Sequence, residues 1–354
     1  MTKQLIVSSS PHAHSGKTTA SIMWTVLAAL VPAAAYSVYL FGLPALTVLL
    51  ATTVFCVIFE GLSNFMMGKP VTLKDGSAAL TGIILALTLP PGLPLWICGV
   101  GAFVSIVVAK SVFGGLGQNP FNPAMTGRVF LLIAFPAPLT KWLVPTGTGE
   151  MLFNKPVSAF DAAGNLVSAG AANVDAITAA TPLGLLSEEG AKAVMGMDTS
   201  TEFLIGQING SLGETSGILL LAGGIFLLTR KIISWHIPVS FMAAVAAIAA
   251  ITHAVNPEHY AGALFHLLTG GVFLGAWFMA TDYVTSPMFT RGKLIFGAGC
   301  GVLTMVIRLW AGYPEGVSFA VLLMNACVPI INMYTKPKKF GLQDLAAKKE
   351  AANA

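Results

Sequence analysis

Between residues 21 and 334 the chain carries eight long apolar runs, at 21–41, 43–60, 92–109, 216–234, 237–254, 260–280, 293–310 and 316–334. Each comes close to the roughly 20 residues that a helix needs to cross the hydrocarbon of a bilayer. This restricts the fold severely. Lipid offers no hydrogen bonds, so a spanning segment must satisfy its own backbone, and a helix does so. Two further runs, AALTGIILALTLP at 78–90 and AMTGRVFLLIAFP at 124–136, are short and flanked by Gly and Pro, the pattern of broken or re-entrant segments. Together they predict an all-α polytopic membrane protein with ten transmembrane helices. Composition agrees, with 10% charged residues against roughly 25% in soluble domains.

The few charges orient the chain, because Lys and Arg collect on the cytoplasmic side. With ten alternating spans, Lys3, Lys17, Lys69, Lys74, Lys110, Arg230, Lys231, Arg291, Lys293 and the Lys-rich tail all fall on one side. The stretch 138–215 holds three basic residues against eight acidic ones and belongs on the other. The expected organisation is a cytoplasmic segment 1–20, a first five-span unit 21–137, an extracytoplasmic loop 138–215, a second five-span unit 216–334 and a cytoplasmic tail 335–354. An odd number of spans per unit gives the two units opposite orientations. A faint echo between LTGIILALTLPPGLP at 80–94 and LTGGVFLGAWFMATDYVTSP at 268–287 supports two inverted five-helix repeats around a central site.

Several functions are disfavoured by the residues. The net charge of +4 gives no basic face for nucleic acid. Cys56, Cys98, Cys300 and Cys327 lie singly in apolar text with no metal-ligand or redox spacing. SGKTT at 15–19 looks like the end of a phosphate-binding loop, but Pro11 stands where that motif needs Gly. The N-terminus has too short an apolar run for a removable signal peptide.

Three stretches could carry chemistry. GGLGQNPFNPAMTGR at 114–128 combines Gly114 and Gly115 with the amides of Gln118, Asn119 and Asn122, suited either to a flat polar ligand or to a tight turn; Arg128 needs a partner at membrane depth. ATDYVTSPMFTRGK at 280–293 places Asp282 at the cytoplasmic end of a span near Thr285, either as a functional carboxylate or as a helix-end group balanced by Arg291 and Lys293. Asp282 and Glu60, with His266 behind them, are the ion-coupling candidates. The third is DAITAATP at 175–182, in the outer loop. Read locally, Asp175 caps a short helix, Thr178 sits in its first turn and Pro182 stops it.

These stretches, with SPHAHSGKTT at the N-terminus, resemble the RnfD family, the D-type membrane components of Rnf complexes, and more distantly the B-type components of the sodium-pumping NADH:quinone oxidoreductases. The resemblance implies a multi-pass subunit in the bacterial inner membrane, working with the other Rnf subunits to couple ferredoxin:NAD electron transfer to Na⁺ or H⁺ movement. It also implies that a flavin transferase esterifies FMN to Thr181 through its phosphate, with Asp175 and Thr178 as neighbouring motif residues, and that a noncovalent riboflavin is bound as well. Asn119, Asn122, Gly114, Gly115 and Thr285 are the candidates around the riboflavin. Ala176 and Ala179 stand where the family often has Gly. An outer loop is a fitting place for such a tether, since its phosphate charge would be costly in hydrocarbon. The competing reading is a solute permease whose outer loop serves as a lid.

Overall fold

The computed structural model describes residues 18–70, 72–143, 158–160, 166–168, 181–194, 203–204, 206, 209–311, 313 and 315–337. Their regular elements are helices apart from one antiparallel pair in the segment between the two helical groups, β1 (Ser158–Phe160) with β2 (Leu166–Ser168). Asp175, Thr178, the N-terminal segment and the Lys-rich tail lie outside the described residues.

The first group of helices is α1 (Thr19–Phe41), α2 (Leu43–Met66), α3 (Ser77–Leu87), α4 (Leu95–Phe103) and α5 (Pro123–Ala134). α4 runs on into a π-helical segment, Val104–Ser111. In the loop come α6 (Pro136–Leu139), α7 (Pro182–Glu189) and α8 (Ala191–Val194). The second group is α9 (Gly217–Thr229), α10 (His236–Val255), α11 (Ala263–Leu268), α12 (Val272–Leu274) continuing as π-helix Gly275–Met279, α13 (Thr290–Trp310) and α14 (Val317–Thr335). Among the described residues five helices, α1, α2, α10, α13 and α14, are long and apolar enough to cross a membrane, and the rest of the apolar segments are shorter.

One continuous core joins both groups, running from Leu30 and Leu85 to Phe241, Phe296 and Val321. Large apolar side chains such as Leu50, Val54, Ile58 and Ile251 point outward, as lipid-facing or partner-facing surfaces require. Glycines allow close helix crossings. A Cβ on Gly82 would stand 2.6 Å from the Thr53 Cα, and one on Gly301 2.5 Å from the Phe241 carbonyl oxygen.

The two short runs form the short, uninterrupted helices α3 and α5; of the eight runs expected to span, 92–109 and 216–234 also give shorter helices, and 260–280 breaks. The chain leaves helix after Leu268 and resumes at Val272, with Gly270 and Gly271 at φ 69° and 67°. The freed carbonyls explain why this is tolerated. Arg308 on α13 donates to His266 O at 2.8 Å and to Thr269 O and Gly270 O, both at 2.9 Å. A buried fork of guanidinium donors thus replaces the missing helix bonds.

Candidate functional site

At one end of the bundle the N-terminal turns of α1 and α3, the loop before α5, the end of α9 and the loop after Met279 line a partly open cavity. Its wall is mainly apolar, with polar groups from Ser77, Lys110, Asn119, Asn122, Thr281 and Asp282. The loops bearing Lys69, Lys74, Arg230 and Lys231 gather at this end. Lys69 donates to Gly114 O, the Trp24 indole N–H to Lys74 O, and Ile232 and Ile233 line the cavity.

The loop before α5 is built by its amides. Asn122 caps α5, its Oδ1 accepting from the N–H groups of Ala124 and Met125, while its Nδ2 donates to Met279 O at 3.2 Å. Asn325 on α14 completes the junction. In the amide orientation that satisfies both its ends, it donates to Thr285 O and Val321 O and accepts from the Asn122 N–H at 3.1 Å. Gly114 and Gly115 hold φ of 122° and 107° and shape the preceding turn without lining the cavity. A Cβ on Gly114 would lie 1.8 Å from the Gln118 Oε1.

Asp282 is half-buried in the cavity wall. Its carboxylate accepts from the Thr285 hydroxyl at 3.1 Å and the Val284 N–H at 3.4 Å. Burial raises its pKa, and these bonds, with the Lys110 charge, pull it back. The sequence offered Arg291 and Lys293 as its balance, yet among the described residues neither pairs with it. Thr285 is therefore a support behind Asp282 and not a cavity-lining group.

Lys110 corrects the loop-charge reading. It sits at 3% side-chain exposure on the π segment, with Nζ 2.7 Å from Glu60 Oε1 and 2.7 Å from Ser77 Oγ. Glu60, at the end of the 43–60 apolar run, is its counter-ion behind the cavity wall. A Lys at the end of an apolar run looks like a topology marker, and only the preceding Glu60 hinted at burial.

At the other end lies a smaller polar cleft, lined by Thr88, Ser211, Glu214, Gly270, Glu315 and Ser318 among others. Arg128, expected to need a partner, has one: Nη2 to Glu315 Oε2 at 2.7 Å. His266, whose carbonyl accepts from Arg308, is buried, with no hydrogen-bond partner for either ring nitrogen among the described residues. Glu214 ends the 3-10 turn Leu212–Glu214, outside the spanning helices, and accepts from the Ser211 hydroxyl at 2.8 Å. Burial foremost, and then the Glu315 charge, push its pKa up, against Ser211, Arg308 and Arg128. The folded protein therefore holds this proton more tightly than the unfolded chain. Stability should fall as pH rises from the ordinary carboxyl range through the raised folded value. Glu214→Gln removes that slope: its thermal midpoint should match the parent near pH 5 and exceed it near pH 8, and parallel curves would contradict the assignment.

Thr181 is the N-cap of α7. Its φ and ψ of −74° and 155° are extended, and its Oγ1 accepts from the Gly184 N–H at 3.0 Å. Pro182 consequently begins a helix where the sequence pattern has it ending one. Proline at the first helical position gives up only an N–H that would be unpaired anyway. Thr181 is half-buried, and α7 anchors through Leu183 to a small cluster with Phe203, Ala261, Phe265 and Leu268. That cluster sits just beyond the C-terminal end of α10, whereas Ile232 and Ile233, before its start, line the large cavity. A helix of 20 residues separates the two by roughly 30 Å.

A family model described as NQR2, RnfD, RnfE family matches residues 6–341. Three relatives carry the name of the D-type component of such a complex. That of the ion-translocating oxidoreductase complex of Stutzerimonas stutzeri is 44% identical over 327 residues, covering 90% of this chain and 91% of that one. Its counterpart in the proton-translocating ferredoxin:NAD(+) oxidoreductase complex of Clostridium ljungdahlii is 41% identical over 341 residues, 95% of this chain and 96% of its own. The one from the ion-translocating oxidoreductase complex of Escherichia coli (strain SMS-3-5 / SECEC) is 40% identical over 348 residues, 95% and 98% of the two chains.

Proposed function

The chain belongs to the NQR2, RnfD, RnfE family, and on that footing we propose that it is the membrane flavoprotein subunit of an ion-translocating ferredoxin:NAD oxidoreductase complex. Its work is to hold two flavins on opposite sides of a bacterial inner membrane and to bind the translocated ion, Na⁺ or H⁺. The observation that carries this is end-to-end similarity to subunits named for such complexes. Ferredoxin and NAD then belong to partner subunits, since this chain has no dinucleotide fingerprint and no cluster-ligating Cys set.

For the covalent FMN, the geometry at Thr181 is suitable. Thr181 is only half-buried, and a phosphate on its hydroxyl would stand at the N-terminus of α7, where free N–H groups and the helix dipole favour negative charge. Gly184, 3.2 Å from Thr181 Oγ1 at its would-be Cβ, keeps this approach uncrowded. For riboflavin, the cavity at the other end is the candidate place, a mainly apolar wall with a few polar groups as small-molecule sites have, and Asn119 and Asn122 are among its lining residues. A flavin supplies the electron transfer itself; the protein orients it and sets its surroundings.

The inverted repeat also belongs to this reading. α1 packs on α9 and α5 on α14, the pairs of like-placed helices that a two-fold axis would bring together. Both run antiparallel. Asn122 at the start of α5 meets Asn325 well inside α14, and Arg128 further along α5 meets Glu315 just before α14. Likewise Ile22 and Met23 at the start of α1 share a cavity wall with Leu227 near the end of α9. An axis in the membrane plane produces such pairs.

The cavity end should face the cytoplasm. A cysteine placed at Ala169 should react with an impermeant thiol reagent added to the outer face of the cytoplasmic membrane, and one at Ala347 should not; the reverse pattern would overturn the orientation. The function is tested with the purified complex in liposomes, where ferredoxin oxidation should drive radioactive Na⁺ uptake or lumenal acidification. Electron transfer with neither would leave a role without ion movement.

A further inference from the structure

The Lys110–Glu60 pair behind the inner cavity has features that a static structural ion pair does not need. Both side chains are buried, at 3% and 4% exposure. Glu60 uses Oε1 for Lys110, while Oε2 is enclosed with no partner among the described residues. A buried carboxylate oxygen without a donor is costly unless something else serves it. Lys110 is also incompletely used, with two of three ammonium donors spent on Glu60 and Ser77. Ser77 donates in turn to Asp75 at 2.7 Å.

Lys110 and Asp282 line the same cavity. Its approaches therefore carry two carboxylates, Glu60 and Asp282, served by one ammonium on a flexible four-carbon stem. The other titratable groups facing the pair are Asp75 before α3, Cys56 one turn before Glu60 on α2, and Tyr283 in the cavity wall. Lys110 also lies in a π-helical segment, closed by Gly115 N–H to Lys110 O and Val112 N–H to Val107 O. Single π turns recur at functional positions because they offset one side chain from the helical register.

We propose that Glu60 is a cation-exchange site for which Lys110 is the tethered competitor: a small monovalent cation reaches Glu60 from the cavity as the Lys110 ammonium moves from Glu60 to Asp282. One positive charge arrives at Glu60 as another leaves, so the enclosed carboxylate is never left bare. Lys110 keeps its proton throughout, and Asp282 gains a counter-charge in the same move. Na⁺ and H⁺ are the two sources of that cation. The proposal rests on the ion-translocating reading for its physiological purpose, but its binding step concerns this chain alone.

The test uses the purified full chain in detergent, without electron flow or partner subunits. Equilibrium binding of radioactive Na⁺ reads one source. The infrared change from carboxylate to carboxyl, assigned by its absence in Glu60→Gln, reads the other during an acid titration. Removing the competitor with Lys110→Gln should tighten Na⁺ binding at least about tenfold, or else raise the pH at which Glu60 protonates by about one unit or more, a tenfold change in proton affinity. Lys110→Arg covers the case in which the Gln variant does not fold. It keeps the charge but grips Glu60 with a planar fork, so it should weaken cation binding by a similar factor. A static pair responds to loss of its ammonium in the same direction, so the landing site decides. Asp282→Asn should weaken cation binding at Glu60 at least about tenfold while Lys110 is present and leave it unchanged in Lys110→Gln, whereas a static pair is indifferent to Asp282 in both. Indifference to Asp282→Asn, or unchanged Na⁺ and proton affinity in the folded Lys110 variants, overturns the exchange; a pumping assay that fails in the parent complex bears on the ion-translocating reading instead.

Discussion

Thr181→Ala should eliminate covalent flavin completely while the membrane bundle still assembles. The substitution removes the only atom of this residue that could carry the ester, and that atom lies on the outer segment, away from the continuous helical core. It also removes the cap of α7, which costs about 1 kcal/mol and loosens a helix of eight residues. Such a loss is small against the packing of the spanning helices. Denatured protein from cells expressing the matching transferase should therefore show no fluorescent band under ultraviolet light. Thr181→Ser keeps both the cap and an acceptor oxygen and should retain flavin, limited by how the transferase tolerates the freer rotamer. Thr178→Ser should label like the parent. Peptide mass analysis from Val174 to Leu185 should place one FMN phosphoester on Thr181. A mass increment on Thr178, or fluorescence surviving in Thr181→Ala, defeats the assignment. No fluorescence in the parent would favour the permease reading.

Five spanning helices were legible because the bilayer imposes a length and a polarity that need no tertiary knowledge. The two short runs were legible as short for the same reason: they fall short of a full crossing and end in Gly and Pro. The break inside 260–280 was not, since its apolar text is long enough to span. What interrupts it is Arg308, some forty residues later, whose guanidinium makes three non-helical carbonyls tolerable. Lys110 was misplaced by a rule about loops, because its counter-ion is fifty residues earlier on another helix. Pro182 was read as a stop because proline breaks helices in their interiors, while the local series Thr-Pro-x-Gly equally describes a cap and first turn. For Arg308 and Lys110 the missing information was a pairing between distant segments, which local pattern does not contain. Asn119, Asn122 and Asp282 were found because amides and a carboxylate stand out in apolar text, and the fold brings them to one cavity.

Arg308→Met should disturb the fold more than any other substitution proposed above, and should prevent recovery of monodisperse protein. Its guanidinium serves His266 O, Thr269 O and Gly270 O, and its Nε reaches Glu315 O at 3.3 Å. Methionine fills much of the volume but donates nothing. Glu315 O keeps the Val317 N–H, but each of the other three buried carbonyls left unserved costs roughly 1–3 kcal/mol, on the order of 3–9 kcal/mol together, comparable with the ~5–15 kcal/mol that holds a whole domain together. The unwound turn would have to rewind or admit water, and either shifts α12 and the π-helix leading to Met279. Arg308→Lys keeps the charge but offers three donors from one point, too few and too compact for four dispersed carbonyls, and should lie between Met and the parent. Gly270→Ala attacks the same turn from the other partner. Its Cβ would stand 2.3 Å from both Arg308 Nη2 and Leu183 Cδ1, at a φ of 69°. Arg291→Gln is the control, an exposed charge whose loss should change stability by no more than about 0.5 kcal/mol. Size-exclusion profiles and thermal unfolding in detergent measure all four. Parent-like behaviour of Arg308→Met would mean that the break at Thr269–Gly271 does not depend on this guanidinium.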